Sequence, residues 1–509
     1  MYKVLLCWRY LRTRTIALVC IVSVMLGVAT MIVVNSVMAG FTHEMQSRLN
    51  GMLGDLVLES RSMNGAPDAR AHIAKIRAVA GQSIVGMSPT VHVPSLMVLE
   101  VNGQMLPKHV TLVGIDEATY ANVSEFGNYL QHPLNRQQLS FALREGGYDV
   151  YDHQVPDQED LLPRSQMKGA GWVHRKHMAQ LKKQRLNASV RGTAQSADKS
   201  ADPFMQLAQE NVENPAGTDF DPASDQHVGI VLGIGTCSYR GADGTDHFIT
   251  LPGDDVRVSF INASLPPKPI NEIYTVVDLY ESKMSEYDTN FVFLPLRELQ
   301  ESRGMVDPTT SIANFTSIQI KLKPRVDAEQ VRDLLRNEFP AQLYTVNTWR
   351  DKQGPLLAAV QMETAVLNVL LFMIIAVAGF GILAIFYMIV VEKTRDIGIL
   401  KSLGASGRGV MGIFLGYGLS LGLIGAGVGL ALGLAFVDKI NEIADLLGRI
   451  TGQPVFDPSV YYFYEIPTIV QPITVTWICV GAVCIAVLAS VLPARRAARL
   501  HPVRALRYE

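Results

Sequence analysis

The residues whose types and spacing indicate a specific chemistry lie in one short charged segment, Glu392–Ala405. Its apolar residues recur at every third position, and its charged residues fall on the other side of a helix drawn through it. The apolar face is Ile397, Leu400 and Leu403, and the charged face is Glu392, Arg395 and Asp396. Such a helix either lies along a membrane surface or fits into the groove of a partner protein. The predicted chemistry is therefore binding rather than catalysis.

No catalytic constellation accompanies this helix. The sequence contains no G-x-x-x-x-G-K-[ST] motif, so this chain cradles no nucleotide phosphate, and it contains no H-E-x-x-H motif. Gly229–Gly235 is rich in glycine, but its spacing favours a turn between strands over a dinucleotide site. His174 and His177 lie three residues apart, but no Cys or further His completes a metal site nearby. We expect no enzyme activity, no cofactor and no metal.

Four apolar segments must position the charged helix, and they are Ile16–Met38, Val366–Val391, Val410–Val437 and Ile473–Leu492. Each is long enough to cross a hydrocarbon core of about 30 Å, which needs about 20 apolar residues. None contains Asp, Glu, Lys or Arg, which argues against a proton relay or a hydrophilic ion path. A cleaved signal peptide is the alternative for the first segment, but its apolar run is long and no clear cleavage site follows.

The predicted fold class is an α-helical membrane protein with four transmembrane helices plus a large α+β extracytoplasmic domain between helices 1 and 2. Basic residues dominate before the first segment, between the second and third, and after the fourth. The positive-inside rule therefore places both termini in the cytoplasm. The predicted regions are a cytoplasmic N-terminus 1–15, helix 1 16–38, the periplasmic domain 39–365, helix 2 366–391, the cytoplasmic coupling helix 392–409, helix 3 410–437, a periplasmic loop 438–472, helix 4 473–492 and a cytoplasmic tail 493–509.

Glycines recur at spacing four along the third segment, about one helical turn apart. They are Gly412 and Gly416, Gly418 and Gly422, and Gly425, Gly429 and Gly433. Such stripes let another helix approach closely, and this pattern fits packing within the bundle as well as a seam between two chains. The net charge of −2 leaves no footprint for nucleic acid. Cys237 is the one cysteine in the exported domain, so no disulfide forms within it.

The exported domain shows strands mixed with helices, which indicates an α+β fold. Expected strands are Asp55–Glu59, Leu96–Glu100, His109–Gly114, Gly229–Leu232, Asp255–Ser259, Tyr274–Leu279, Phe291–Leu294 and Ser317–Leu322, and expected helices are Ala69–Val79, Leu296–Ser302 and Ala328–Glu338. Residues 121–226 are polar, with a basic part followed by an acidic part. Because this composition buries little apolar surface, we expect a flexible insertion, and its functional interpretation is partner binding.

Several motifs together carry a resemblance to a known family. The segment MIVVEKTRDIGILKSLGAS resembles the signature of the FtsX-like permease domain of type VII ABC transporters. The segments WRDKQGPLLAAVQMETAVLNVLL, YYFYEIPTIVQP and PARRAARLHPVRALRYE are similar to those of lipoprotein-releasing permeases of the LolC/LolE type, as are GIVLG and SKMSEYDTNFVFLPL in the exported domain. In that family the segment after helix 2 is the coupling helix. The long polar stretch 121–226 departs from the family.

The resemblance implies a permease subunit of an ABC-type machine in the bacterial inner membrane. It implies a separate cytoplasmic ATPase subunit, a second permease copy or paralogue, lipoprotein acyl chains as substrate, and a periplasmic lipoprotein carrier as a further partner. Two alternatives stay open. One is an efflux permease like MacB, and the other is a signalling protein like FtsX that controls cell-wall hydrolases.

The resemblance also suggests where a carrier binds. In LolC-type relatives a protruding hairpin loop hooks the carrier, and here Ile261–Asn271 occupies about that place. The candidate residues are Leu265, Pro266, Pro267 and Pro269. Each proline fixes its backbone φ near about −65° and removes a donor, so the loop should be stiff. A plain connection between strands is the alternative.

Overall fold

The structure is a computed structural model, and it describes residues 15–52, 54–101, 104–154, 162–193, 220–241, 245–264, 266–451 and 466–501. The chain divides into two compact units. We call residues 1–46 with 354–509 the helical unit, and residues 47–353 the inter-span unit.

Helices and strands are numbered here in chain order over the described residues. The helices are α1 Thr15–Met52, α2 Ala69–Ala80, α3 Pro133–Gln137, α4 Trp172–Thr193, α5 Ile234–Cys237, α6 Ser285–Asn290, α7 Leu296–Ser302, α8 Ala328–Glu338, α9 Trp349–Lys352, α10 Gly354–Glu392, α11 Thr394–Ser402, α12 Gly407–Asp438, α13 Ile440–Thr451 and α14 Pro472–Arg499. The strands are β1 Leu56–Ser60, β2 Ala66–Pro67, β3 Ile84–Val101, β4 Gln104–Ile115, β5 Gly229–Gly233, β6 Ser238–Arg240, β7 Asp246–Phe248, β8 Asp255–Ile261, β9 Pro269–Tyr280, β10 Phe291–Pro295, β11 Asn314–Phe315, β12 Ser317–Leu322 and β13 Tyr344–Thr348.

In the helical unit, α1, α10, α12 and α14 are each long and apolar enough to cross a membrane. Large apolar side chains such as Phe380 and Val377 point outward from the bundle, as expected where lipid surrounds it. The inward faces form one core. Its fully buried members include Val28 and Ile32 of α1, Ile382 and Phe386 of α10, Leu421 of α12, and Ala482 and Ala486 of α14. The predicted four-helix membrane architecture is confirmed.

In the inter-span unit, nine of the described strands form one sheet in the order β13-β1-β12-β3-β4-β10-β5-β9-β8. The long strand β3 also pairs with β8, through Ser95–Val98 and Arg257–Phe260. Because β8 and β4 flank the same part of β3, the strands β3, β4, β10, β5, β9 and β8 close into a barrel. The first residues of β3 instead pair with β12 and extend the sheet to β1 and β13.

Two cores result from this arrangement. The barrel encloses side chains such as Val93, Leu112, Ile230 and Val292. A second core lies between β1, β12 and β13 and the helices α2 and α8, and it contains side chains such as Ile76, Ile320 and Leu335. Asp327 caps α8, because its carboxylate accepts a hydrogen bond from the Glu329 N–H at 2.9 Å. The predicted α+β class for the domain between the first two long helices is confirmed.

The polar stretch 121–226 is not a flexible insertion in its described parts. Phe126, Leu130, Phe141, Tyr148 and Met167 are all buried, and the Tyr148 hydroxyl donates to the Val277 carbonyl in the barrel at 2.6 Å. The prediction was wrong here because averaging the composition over a hundred residues hid widely spaced apolar anchors. Residues 155–161 and 194–219 lie outside the described residues.

Candidate functional site

The charged link that the sequence predicts as a partner-binding helix forms α11 and a tight turn into α12. The N–H groups of Gly404 and Ala405 donate to the carbonyls of Lys401 and Leu400, at 3.1 and 3.0 Å. Gly404 has a positive φ of 95°, so the pair forms a Schellman end in which glycine is strongly favoured. The Ser406 hydroxyl then accepts the Gly409 N–H at 3.1 Å and caps α12. Both ends of the turn are therefore fixed by local hydrogen bonds.

Lys401 joins this link to the end of α14. Its ammonium donates to the carbonyl oxygens of Ala498 and Leu500, both at 2.7 Å. The last carbonyls of a helix lack partners within the helix and carry partial negative charge, so a lysine there satisfies them and complements the helix dipole. Gly407 also lies close to the end of α14, since a Cβ placed on it would come 3.0 Å from the Ala498 carbonyl oxygen. A displacement of α11 must therefore move or strain the end of α14.

The apolar face predicted for α11 is divided between the bundle and the surface. Ile397 is only 3% exposed and packs in the core of the helical unit, so its assignment to a partner-facing surface was wrong. Leu400 is half-buried, and Leu403 is 80% exposed. A helix turns about 100° per residue, so residues spaced three apart do not stay on one side of it, and Leu403 points in a different direction from Ile397. The face open to a partner is Arg395, Ile399, Ser402 and Leu403.

The predicted charged residues of this link lie at the surface. Glu392 and Arg395 are exposed, and Asp396 forms a partly exposed ion pair with Lys393, with Nζ and Oδ2 2.9 Å apart. A pair at the surface contributes about 0–1 kcal/mol to stability, so the fold does not depend on the contact between Lys393 and Asp396. They remain proposals for pairing with a partner.

Five glycines of the α12 stripes pack within the chain. A Cβ placed on each of these five would meet a neighbour at close range: Gly418 the Ser490 hydroxyl at 2.6 Å, Gly422 the Ala486 Cβ at 3.0 Å, Gly425 the Val24 Cβ at 2.8 Å, Gly429 the Met25 carbonyl oxygen at 2.7 Å, and Gly433 the Ala29 Cα at 3.2 Å. Because the first two glycines have no side chain, α14 can approach α12 closely. The other three glycines allow the same close approach of α1. Gly418–Gly422 also matches G-x-S-x-G, but Ser420 lies in mid-helix and its hydroxyl donates to the Gly416 carbonyl.

A cleft that sequence reasoning missed lies between α1, α10 and the start of α14. Its volume is about 410 Å³, and polar side chains mix with apolar ones along its wall. Asn35 of α1 donates to the Asn368 amide oxygen of α10 at 2.9 Å. The residues just before α14 cross α1 closely: the Ile469 N–H donates to the Ser36 carbonyl at 2.9 Å, and a Cβ on Gly40 would overlap Pro467. The cleft can offer hydrogen bonds beside an apolar surface.

The candidate carrier loop is the tip of the hairpin formed by β8 and β9. The strands reach further than predicted, with Ile261 opposite Pro269, so the connection is only residues 262–268. Asn262 closes it, because its side-chain oxygen accepts the Lys268 N–H at 2.8 Å. The Ala263 N–H donates to the Arg303 carbonyl at 2.8 Å and fixes the base of the loop. Pro266, Pro267 and Pro269 are exposed, and Leu265 lies outside the described residues.

A buried ionic cluster holds the polar stretch against the barrel. Arg164 contacts Glu281 at 2.9 Å and Asp246 at 3.0 Å, and Lys283 pairs with both Glu281 and Asp152. Burial alone would raise the pKa of the Glu281 carboxyl, but the charges of Arg164 and Lys283 outweigh it and lower that pKa to about 2. The Glu281 carboxylate therefore keeps its charge between Arg164 and Lys283, so the cluster is a structural clamp.

The two histidines considered for metal binding lie in different environments, and neither environment is a cluster of metal ligands. His174 Nε2 lies 2.7 Å from the Asp254 carboxylate, and His177 is exposed. Over the ranges the structure describes, no three or more His, Cys, Asp or Glu side chains are grouped so as to hold a metal ion.

Comparison with known proteins finds a family similarity for the link and for the three long helices α10, α12 and α14. Residues 368–502, which include α11, α12 and α14, match the model described as FtsX-like permease C-terminal. This part of the chain is similar to the C-terminal domain of FtsX-like permeases. It contains the complete turn from α11 to α12, the glycine stripes, and the Lys401 contacts with the end of α14.

Relatives extend the similarity beyond this domain. The lipoprotein-releasing system transmembrane protein LolC of Xylella fastidiosa strain 9a5c is 31% identical over 262 residues, which is 50% of this chain and 61% of that protein. LolC of Neisseria meningitidis serogroup B is 27% identical over 298 residues, 58% of this chain and 68% of that protein. The LolE protein of Haemophilus influenzae is 28% identical over 221 residues, 43% of this chain and 52% of that protein.

The chain therefore spans about three-fifths of the length of the curated relatives that it first matches. The resemblance to LolC/LolE-type permeases that the motifs indicated is confirmed.

Proposed function

We propose that this chain is the transmembrane permease subunit of an ABC-type complex that extracts lipoproteins from the inner membrane and passes them to a periplasmic carrier. The observation that carries the proposal is the extent of the similarity to LolC, which covers 58% of this chain. An alignment of that length exceeds the whole helical unit, so it includes part of the inter-span unit. The similarity thus joins a permease domain to the domain between its first two spans.

In this proposal a separate ATPase subunit binds the link between α10 and α12 in the cytoplasm. The supporting geometry is the open face of α11, where Ile399 is 43% exposed and Leu403 is 80% exposed beside Arg395. An apolar residue flanked by charges is typical of a helix that docks in a groove. Two membrane spans separate the link from each end of the chain, so both termini would lie on the same side as the link, and the positive-inside rule predicts that this side is the cytoplasm.

Extraction of acyl chains is a task that needs an energy source. Each CH₂ group buried in the bilayer contributes about 0.8 kcal/mol, so several acyl chains together cost tens of kcal/mol to remove. ATP binding in the partner would displace α11, and Lys401 would pass that displacement to the end of α14. A second permease copy or a paralogue would complete the membrane part, and the carrier would bind the exposed prolines of the β8–β9 loop.

The deciding experiment reconstitutes the chain in proteoliposomes with a candidate ABC ATPase subunit, a second permease copy or a paralogue, a fluorescent triacylated lipoprotein, and a soluble carrier. We expect ATP-dependent appearance of lipoprotein in the soluble fraction only when the carrier is present. ATP hydrolysis without release of lipoprotein would contradict the proposal. Export of a periplasmic small molecule would favour a MacB-like pump, and activation of a cell-wall hydrolase would favour an FtsX-like role.

Docking on the link has its own test. Leu403→Asp places a carboxylate on the open face of α11, and an unpaired charge buried in an interface is strongly unfavourable. We expect normal membrane insertion and loss of ATPase co-purification. Leu403→Met is the matched control, because it keeps an apolar side chain of similar size at the same position. Co-purification of the ATPase with Leu403→Asp at the yield of the control would exclude this docking face.

A further inference from the structure

The short helix α13 begins two residues after α12 ends, so it starts where a membrane-crossing helix leaves the membrane. Its residues separate into two faces. The apolar face is Ile440, Ile443, Leu446, Leu447 and Ile450, and the polar face is Asn441, Glu442, Asp445 and Arg449. At 100° per residue the apolar face covers an arc of about 120°, which is typical of a helix that lies along a surface. The sequence predicts a periplasmic loop over 438–472, and the structure contains this helix within that range.

The apolar face is covered by the rest of the helical unit only at its beginning. Ile440 is buried, whereas Leu446 is 60% exposed and Ile450 is 73% exposed. Leu447 lies beside them and is 46% exposed. Adjacent exposed residues of this size mark a surface that meets lipid or protein. Either lipid or protein therefore covers this part of α13.

The position of α13 identifies the occupant. Helices α12 and α14 pack antiparallel, since Gly418 lies against Ser490 while Gly422 lies against Ala486. The end of α12 therefore lies beside the start of α14. There Trp477 is 71% exposed and Ile473 is 75% exposed. Trp residues concentrate at the boundary between lipid and water, so this end of the pair lies at that boundary.

A hydrogen bond holds the first turn of α13 beside the segment that leads into α14. The Asn441 side-chain oxygen accepts the Ile466 N–H at 2.8 Å, and Ile466 begins the described segment that leads into α14. The first turn of α13 is thus fixed next to the start of α14. Because that turn is held at the boundary, its apolar face has lipid within reach and its polar face has water.

We propose that α13 is an interfacial helix, and that its ligand is the lipid surface on the side of the membrane where α12 ends. Leu446, Leu447 and Ile450 insert among the acyl chains just below the headgroups, while Glu442 and Asp445 face water. The polar face carries more acidic than basic charge, so attraction to anionic lipids does not drive the binding. Burial of the apolar area of α13 drives the binding. This inference does not depend on the proposed function.

Insertion of α13 has a consequence for the cleft between α1, α10 and α14. The segment 466–471, which Asn441 holds at one end, contributes Ile469 and Gln471 to the wall of that cleft. The Ile469 N–H also donates to the Ser36 carbonyl of α1. A helix anchored in lipid therefore stabilises one wall of the cleft through this segment.

The test uses the full chain with its native cysteines replaced and one new cysteine labelled with the fluorophore NBD. Labels at 446 and 450 report on the apolar face, and labels at 442 and 445 report on the polar face. Each variant is placed in phosphatidylcholine vesicles with or without brominated acyl chains, which quench NBD on contact. Position 377, exposed in mid-span on α10, and position 343, exposed in the inter-span unit, are the matched controls.

We expect a blue shift of emission and a loss of intensity in brominated lipid at 446, 450 and 377, and neither change at 442, 445 and 343. A blue shift at 446 and 450 without quenching would overturn the proposal, because it would show that protein, such as a second copy of the chain, covers this face. Emission typical of water at all four α13 positions would overturn it equally. All four substituted positions are at least partly exposed, so the labels do not require a change in packing.

Discussion

Gly429 is the position at which the packing of the helical unit can be tested most directly. It lies on α12 against α1, and a Cβ added there would come 2.7 Å from the Met25 carbonyl oxygen and 2.9 Å from the Val28 Cβ. The Met25 oxygen belongs to the backbone, so it cannot rotate away as a flexible side chain could. Gly429→Ala must therefore push α1 and α12 apart.

The size of the effect follows from these distances. Ordinary van der Waals contact begins at 3.4 Å, so the helices must separate by about 0.7 Å at this point, and a gap of about 0.5–1 Å loses a quarter to a half of the attraction between atoms. Overpacking of this kind costs about 1–3 kcal/mol. Alanine also favours a helix over glycine by up to about 1 kcal/mol, which offsets part of the loss.

The same helix offers a matched control. Gly427 lies two residues earlier, and a Cβ added there would meet nothing within 4 Å. Unfolding of the full chain in detergent micelles, titrated with SDS and followed by circular dichroism, gives the midpoint for each variant. We expect Gly429→Ala to lower the midpoint and Gly427→Ala to keep or raise it. Equal midpoints for the two variants would refute the view that the glycine stripe is needed for close approach of α1.

Other positions give sharp predictions of their own. Lys401→Met removes hydrogen bonds from an ammonium to two carbonyls, each worth about 1.5–3 kcal/mol, so hydrogen exchange at the end of α14 should accelerate, and Lys401→Arg should accelerate it less. Gly404→Ala forces a side chain into a φ of 95°, so it should cost about 1–2 kcal/mol in the SDS titration, whereas Gly381→Ala, with nothing within 4 Å, should not. Burial raises the pKa of Asp288 from 3.8 to about 7, so the folded state keeps a proton that the unfolded state releases, and stability falls as pH rises from about 4 to about 7. Burial also raises the pKa of Asp278 to about 7, so Asp288→Asn should reduce that fall in thermal unfolding without abolishing it, and it should stabilise the inter-span unit in mildly alkaline buffer by on the order of 1–3 kcal/mol. An unchanged pH profile would show that Asp288 does not contribute to the fall.

Much of the architecture could be predicted from local patterns. The four long helices follow from apolar runs without charge, and all eight expected strands fall within or next to observed ones, as Asp255–Ser259 does within Asp255–Ile261. The helices Leu296–Ser302 and Ala328–Glu338 have the predicted bounds. These elements were predictable because each carries its own signal: a run of β-branched residues, or an apolar repeat between a cap and a breaker.

The features that were missed depend on contacts between distant residues. The closure of the barrel needs Leu96 beside Ser259, a pairing that no local pattern specifies. Residues 121–154 and 162–164 pack against the barrel through contacts such as Arg164 with Glu281 and Tyr148 with Val277, and their composition alone gives no sign of either contact. Ile397 looked accessible because periodicity shows that a helix has an apolar edge and not which neighbour covers it. The sequence does contain the apolar repeat of α13, but this repeat is short and comes directly after the long apolar run of α12, which makes it hard to recognise as a separate helix.

The contacts of the helical unit also bear on how a push on the link would travel under the proposed mechanism. Lys401 ties α11 to the end of α14, Gly418 brings α12 against α14, and Gly429 brings α12 against α1. At the last two contacts one helix approaches the backbone, or the first side-chain atoms, of the next, so little side-chain freedom is left to absorb a displacement. A bundle held by long flexible side chains would yield locally instead. The glycine stripes therefore suit α1, α12 and α14 to move together when α11 is displaced. If so, Gly429→Ala should weaken the coupling of ATP hydrolysis to lipoprotein release more than it weakens ATPase binding, because the substitution leaves the open face of α11 unchanged.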